Sequence, residues 1–160
     1  MEAINKRTRS LEDSRIKRDG LSKGTVAPLF DLPRLDGTKL SLKDYRGHRI
    51  LLVFSDPNCG PCNQLAPQLE QLHRRVTALK ILMISRGDLE ANRLKADEHE
   101  LTFPIVLQQR WEISREYGIF GTPVGYLIDE QGIIAADVAM GNAAIIALAT
   151  PKEEIMRERE

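Results

Sequence analysis

A chain of 160 residues with 42% apolar and 29% charged side chains can bury one sizeable core, which excludes a disordered polymer and a multidomain array. Its 23 basic and 23 acidic residues balance, so no global charge argues for a nucleic-acid partner, and none is expected. No apolar run reaches the roughly 18 residues of a membrane span, and two cysteines are too few for a disulfide scaffold.

Taken in order, residues 1–23 read as a charged N-terminal tail or a short, weakly amphipathic helix. Residues 1–24 carry seven basic and four acidic side chains and lack the apolar centre of a signal peptide. The domain is expected over residues 24–150. Asp36-Gly37 marks a hairpin turn with Phe30 and Leu32 on one strand and Leu40 and Leu42 on the other. Residues 49–54 form a short apolar run, the pattern of a buried strand. Beyond it, Cys62, Leu65, Leu69, Leu72 and Val76 recur at helical spacing and make one apolar stripe. A second apolar strand spans 78–85, and Asp88 caps a charged helix running to about residue 100. Residues 103–107 are a further strand, with Pro104 placing it at a strand start or sheet edge. A short helix over 112–117 ends at Gly118. Residues 124–128 and 133–138 flank Glu130-Gln131-Gly132 as an antiparallel hairpin, and Asn142 caps a last helix through Leu148. Residues 151–160 are a polar C-terminal tail. Strands alternating with helices, then a hairpin and a helix, make an α/β domain: a mixed central sheet with helices on both faces.

The chemistry in this order is concentrated at Cys59-Gly60-Pro61-Cys62, where the buried strand gives way to the amphipathic helix. A helix N-terminus carries unpaired N–H groups and partial positive charge, which favour a thiolate over a thiol. Cys59 at the turn is the expected nucleophile, and Cys62, one turn further in and facing the core, the shielded resolving thiol. Pro61 in the first helical turn keeps the turn rigid without removing a needed hydrogen bond. Zinc is the weaker reading: a structural site wants four ligands, and His48, His73 and His99 form no ligand motif. No metal and no cofactor are expected. Two cysteines merely filling a core is the other bland reading, and Gly-Pro between them suits it poorly.

Cys-Gly-Pro-Cys after an apolar strand, with Pro67 in the following helix and Gly121-Thr122-Pro123 just before a hairpin, resembles thioredoxin. The resemblance implies a thioredoxin-like fold in which Thr122–Pro123 is a cis peptide beside the dithiol, where it binds substrate. A narrower likeness covers residues 24–149. The entry Gly24-Thr25-Val26-Ala27-Pro28-Leu29-Phe30, Asp36-Gly37 and Leu42 to Gly47 are similar to the redoxin and TlpA-like thiol–disulfide oxidoreductases, as is an inserted helix–strand unit over 88–108. Membrane-tethered bacterial maturation reductases of that group carry a juxtamembrane stretch similar to residues 1–23.

Three departures stand out. Asn58 replaces the tryptophan before the first cysteine, and Trp111 reads as structural. Val53 stands where thioredoxin has a buried aspartate that moves the proton of the resolving thiol. Asp56-Pro57 replaces the aromatic approach, which leaves Asp56 as a possible proton carrier.

The expected function is a thiol–disulfide oxidoreductase, acting as a reductant on a protein disulfide or dithiol and recharged by an upstream thiol donor. The rivals are a peroxiredoxin-like thiol peroxidase and a redox-inactive binding module. Peroxide chemistry wants a threonine and a proline at the positions held by Asp56 and Leu52. The expected location is the cytoplasm if Met1 is the native start, and the periplasmic side of the cell envelope if the chain is a truncated piece.

Overall fold

The run Arg49-Ile50-Leu51-Leu52-Val53-Phe54-Ser55 is the centre of the molecule because every residue in it after Arg49 is buried, and both of its faces are covered. In the computed structural model, which describes residues 20–150, it is the third strand, β3. Before it come β1 (Asp31–Pro33), β2 (Lys39–Ser41) and a 3₁₀ turn over Leu42–Tyr45. After it come α1 (Gly60–Arg75), β4 (Leu79–Arg86), α2 (Leu89–Glu98), β5 (Ile105–Gln108) and α3 (Glu112–Glu116). The last elements are β6 (Val124–Ile128), β7 (Ala139–Met140) and α4 (Asn142–Ala149). The main sheet has the order β5-β4-β3-β6-β7. Its left half is parallel, β3 to β4 and β4 to β5, each step crossing through a helix; its right half is antiparallel, β3 to β6 and β6 to β7.

Strand side chains alternate between two cores, as the period of two demands. Leu51 and Val53 face Leu65, Leu69 and Leu72 of α1 and Ile145 of α4. Leu52 and Phe54 face Phe30, Leu40, Leu42, Tyr117 and Tyr126. The second face is therefore covered by the entry segment, the 3₁₀ turn and the short α3, not by a long helix. Tyrosine hydroxyls tie that cover down: Tyr126 donates to the Tyr117 carbonyl at 2.6 Å, and Tyr117 to the Pro28 carbonyl at 2.7 Å. The mixed sheet with helices on both faces, the N-terminal hairpin and the inserted α2–β5 unit are those expected.

Several boundaries differ from the expectation. The strand expected over 133–138 is not continuous. Ile133 bridges to Val26 and Ile134 to Ile128, while the ladder partner of β6 is β7, pairing Val124 with Met140 and Gly125 with Ala139. Ala135, Ala136 and Asp137 between them are weak strand formers, and the entry segment competes for the same edge. Asn142 is not the cap of the last helix. Gly141, at φ +90°, takes that position, and the Asn142 side chain reaches the Pro61 carbonyl instead. Asp88 does sit at the N-cap of α2, but its side chain makes no capping bond. Packing also begins earlier than residue 24: the Gly20 N–H donates to the Gly118 carbonyl at 3.2 Å and the Leu21 N–H to the Tyr126 hydroxyl at 2.9 Å. Of the tail or helix expected over residues 1–23, residues 1–19 lie outside the described residues, as does the tail expected over 151–160. Among the described residues, no helix is long and apolar enough to cross a membrane.

Helix α1 is held from the side by Glu70, a buried carboxylate. It accepts from the Thr102 N–H at 2.7 Å, the Thr102 hydroxyl at 2.6 Å and Arg74 at 2.7 Å. Burial opposes its ionisation, but the Thr102 bonds and the Arg74 guanidinium outweigh that and hold the carboxyl below its usual range. A depressed carboxyl contributes stability that is present above its unfolded value and is lost as pH falls through its folded one. Glu70→Gln should therefore cost about 1–3 kcal/mol at neutral pH, the worth of hydrogen bonds to a charged group. The wild type should lose that advantage as pH falls below about 4.5, so the two curves converge in acid. Chemical denaturation across the acid range measures both effects.

Candidate active site

The turn between β3 and α1 places Cys59 as the N-cap residue of the helix, with extended backbone at φ −94° and ψ 120°. Its Sγ accepts from the Cys62 N–H at 3.3 Å, so one of the orphan donors of the helix end points at this sulfur. The turn is braced from below. The Cys59 N–H donates to the Asp56 carbonyl at 3.2 Å, and the Asn58 N–H to the Asp56 carboxylate at 2.8 Å. Asn63 Nδ2 reaches back to the Pro57 carbonyl at 3.2 Å. Gly60 and Pro61 form the first helical turn, as Pro at such a position requires no lost hydrogen bond.

The second side of the site comes from the loop before β6. Thr122–Pro123 is cis, and the Thr122 carbonyl oxygen lies 3.7 Å from Cys59 Sγ. A third piece comes from α4, whose Asn142 Nδ2 donates to the Pro61 carbonyl at 3.0 Å. Helix α4 can sit this close because β6 carries Gly125, where a Cβ would come 3.0 Å from Ile145. The sequence-predicted residues Cys59, Gly60, Pro61, Cys62, Thr122 and Pro123 thus meet at one edge of the sheet, although 63 positions separate Cys59 from Thr122.

The two sulfurs differ as a dithiol centre needs. Cys59 is half-buried, while Cys62 is 2% exposed. Burial pushes the Cys62 thiol up to about 11, and its contact with Cys59 adds to this, against smaller opposing effects of Thr122, Ser55 and the Asp56 backbone. Cys62 therefore holds its proton at neutral pH and must lose it to act. Asp56 stands near by, but both of its carboxylate oxygens are engaged, one by Asn58 and the other by Arg86 at 3.5 Å. Leu52 and Asp56 occupy the positions a peroxidase would give to proline and threonine, and Leu52 is fully buried in the core.

Some neighbours were not legible in the sequence. Arg86, which pairs with Asp56, lies 3.6 Å over the ring of Trp111, so this tryptophan braces the site through a cation–π contact. Phe120 and Met140 stand half-exposed beside the dithiol, on a groove of about 490 Å³ that also has Pro61, Thr122 and Pro123 in its wall. Only an exposed aromatic next to Gly-Thr-Pro could have hinted at the groove. Among the described residues, no group of three or more histidine, cysteine or carboxylate side chains could hold a metal ion.

The sequence profile of the AhpC/TSA family matches residues 23–137, which span the hairpin, the dithiol turn and the cis-proline loop. The chain belongs to the AhpC/TSA family. It is 34% identical over 131 residues to the thioredoxin-like protein YneN of Bacillus subtilis, covering 78% of this chain and 75% of that one. To the thiol-disulfide oxidoreductase ResA of Geobacillus thermodenitrificans it is 32% identical, over 72% of this chain and 68% of the relative. The thioredoxin domain of a thiol-disulfide oxidoreductase from Bacteroides vulgatus superposes with a TM-score of 0.72 at 25% identity, covering 80% of this chain and 96% of that domain. This member of the AhpC/TSA family has the thioredoxin-like fold and is a thiol–disulfide oxidoreductase.

The unequal burial of the two sulfurs has a direct consequence. Limiting iodoacetamide on the reduced protein should alkylate Cys59 about tenfold or more faster than Cys62, since only an accessible thiolate reacts readily. Mass mapping of the labelled peptides reads the ratio, and equal labelling or a preference for Cys62 would refute the assignment of the two thiols.

Proposed function

We propose that the protein is a reductant of disulfides in a partner protein, with Cys59 as nucleophile and Cys62 as resolving thiol. The observation that carries this reading is the half-buried Cys59 at a helix N-terminus, 3.7 Å from the Thr122 carbonyl, with a buried and protonated Cys62 behind it. The Cys59 thiolate attacks one sulfur of the partner disulfide, forms a mixed disulfide and expels the other sulfur as a thiolate. Cys62 then gives up its proton and attacks Cys59 Sγ, which closes the Cys59–Cys62 disulfide and expels the second partner thiolate. Two electrons pass to the partner, whose thiolates take up two protons. An upstream thiol donor returns the enzyme to the dithiol.

Binding of an extended partner segment is assigned to Thr122 and Pro123, whose backbone borders the dithiol in the manner of an added strand. The groove beside them would take an apolar side chain of that segment against Phe120 and Met140. The reducing direction is supported by the Gly60-Pro61 pair, which this chain shares with thioredoxin, a reductant at about −270 mV. In this reading Asp56 is first a brace of the turn and a secondary acceptor for the Cys62 proton, because its oxygens are already engaged.

Insulin reduction tests the reading. Cys59→Ser should abolish turnover, whereas Cys62→Ser should complete one attack and accumulate a covalent mixed disulfide visible by mass. Activity surviving in Cys59→Ser would overturn Cys59 as the nucleophile, and absence of insulin reduction by the wild type would favour a binding role for the fold.

The groove gives a separate expectation. Phe120→Asp should raise KM for a protein disulfide about tenfold, the worth of roughly 1.5 kcal/mol of lost apolar contact. The rate with a small aromatic disulfide, which has no segment to place in the groove, should stay within about twofold of wild type.

A further inference from the structure

The proton on Cys62 needs a way out, and the residue that supplies one in thioredoxin-like sites is replaced here by Val53, fully buried in the core. On the same side of the sheet, the two strand ends below the dithiol are polar. Ser55 and Ser85 are paired across β3 and β4 and are 6% and 2% exposed. Ser85 Oγ donates to Asn92 Oδ1 at 2.5 Å, and Asn92 Nδ2 is in turn held by the carbonyls of Arg86 and Asp88. Burying polar groups costs free energy unless they have a use for one another or for water. These side chains wall a cavity of about 20 Å³ that also touches Cys62 and His99. That is room for one water, which needs polar partners to be held.

His99 is the feature with no other explanation. It is the C-cap residue of α2, half-buried as a whole, yet its Nε2 is fully buried and has no hydrogen-bond partner. A buried ring nitrogen left unpaired is costly unless something in the cavity pairs with it. The titratable groups lining the cavity are Asp56 from the turn after β3, Cys62 from α1, and Lys95 and His99 from α2, with Arg86 of β4 reaching Asp56. Lys95 is turned to Glu98 at 3.3 Å, and Asp56 to Asn58 and Arg86. Among these groups only His99 has a fully buried side-chain nitrogen or oxygen without a hydrogen-bond partner.

We propose that His99 is the proton-relay residue of the resolving step, exchanging the Cys62 proton through a single water in this cavity. This rests on the roles assigned to Cys59 and Cys62 above. When Cys62 attacks the mixed disulfide, its proton passes to the water, and the water gives one of its own to His99 Nε2. The new Cys59–Cys62 bond forms as the partner thiolate leaves, and the imidazolium returns its proton to solvent from the half-exposed side of the ring. No oxidant or reductant beyond the partner disulfide is required.

A nitrobenzoate disulfide that releases one coloured thiolate on attack and a second on resolution separates the steps in a stopped-flow trace. His99→Gln should slow the second release about tenfold or more, the lower range for a lost acid–base group, and leave the first within about twofold. Added imidazole should restore part of the second release in His99→Ala. Ala96→Val, which fills the cavity while keeping His99, should slow the same step, so the test does not hang on one substitution. A second release that is unchanged in His99→Gln, or equal slowing of both releases, would overturn the relay. Larger slowing in Asp56→Asn than in His99→Gln would assign the relay to Asp56 instead and overturn it too. Absence of the first release would instead defeat the assignment of Cys59 itself.

Discussion

The junction from β3 to α1 is the constraint on which the rest depends. A strand buried on both faces must leave the sheet at Ser55, and the helix that follows must pack its apolar stripe back onto the same strand. Only a short turn separates them, so the helix N-terminus is fixed at the sheet edge with its unpaired N–H groups directed at whatever occupies the cap. Here the cap is Cys59. The reactivity expected of this sulfur follows from where the core puts it, and the core would be the same with an inert cap.

The remaining elements serve to hold that junction in register with two others. Glu70 clamps α1 to the loop before β5 through Thr102, and Gly125 lets α4 approach until Asn142 reaches the Pro61 carbonyl. The tyrosine pair under β3 ties the entry segment across the opposite face. Each contact links elements far apart in sequence, which is how a site made from three loops keeps distances of a few ångströms. The apolar groove has Pro61 in its wall and the polar cavity has Cys62, so each borders the dithiol turn. One is suited to a partner's side chain, the other to a proton.

Membership of the AhpC/TSA family does not by itself choose between peroxide and disulfide chemistry. The side chains around Cys59 bear on the choice. Leu52 and Asp56 offer no hydroxyl donor to a peroxide, whereas the open edge at Thr122–Pro123 and the paired thiols suit an extended disulfide-bearing segment. The replacement of the usual buried acid by Val53 is compatible with the same chemistry if the proton leaves sideways, through Ser55, Ser85 and the region of His99, and not downward into the core.

Much of this was legible in the chain itself. Local pattern identified β3 and β4 as apolar runs, α1 by its stripe at helical spacing, α2 by Asp88 and its charged residues, and with them the class of the fold, because such patterns lie within a few residues and need no partner to be read. The dithiol and Gly121-Thr122-Pro123 were legible because their chemistry resides in residues close together in sequence. The break at residues 133–138, the cap at Gly141 and the packing of residues 20–23 were not, since each is decided by competition for one sheet edge or one carbonyl among segments distant in the chain. The same holds for Trp111, which acts through Arg86, and for His99, 37 positions from Cys62 and beside it only because two parallel strands and two helices close around one cavity. Sequence by itself determined most of the elements and the place of the cysteine pair at a strand–helix junction, which depend on neighbours within a turn or two. Only the tertiary structure decided which side chains surround that pair, because burial and proximity across a sheet are properties of the packed chain.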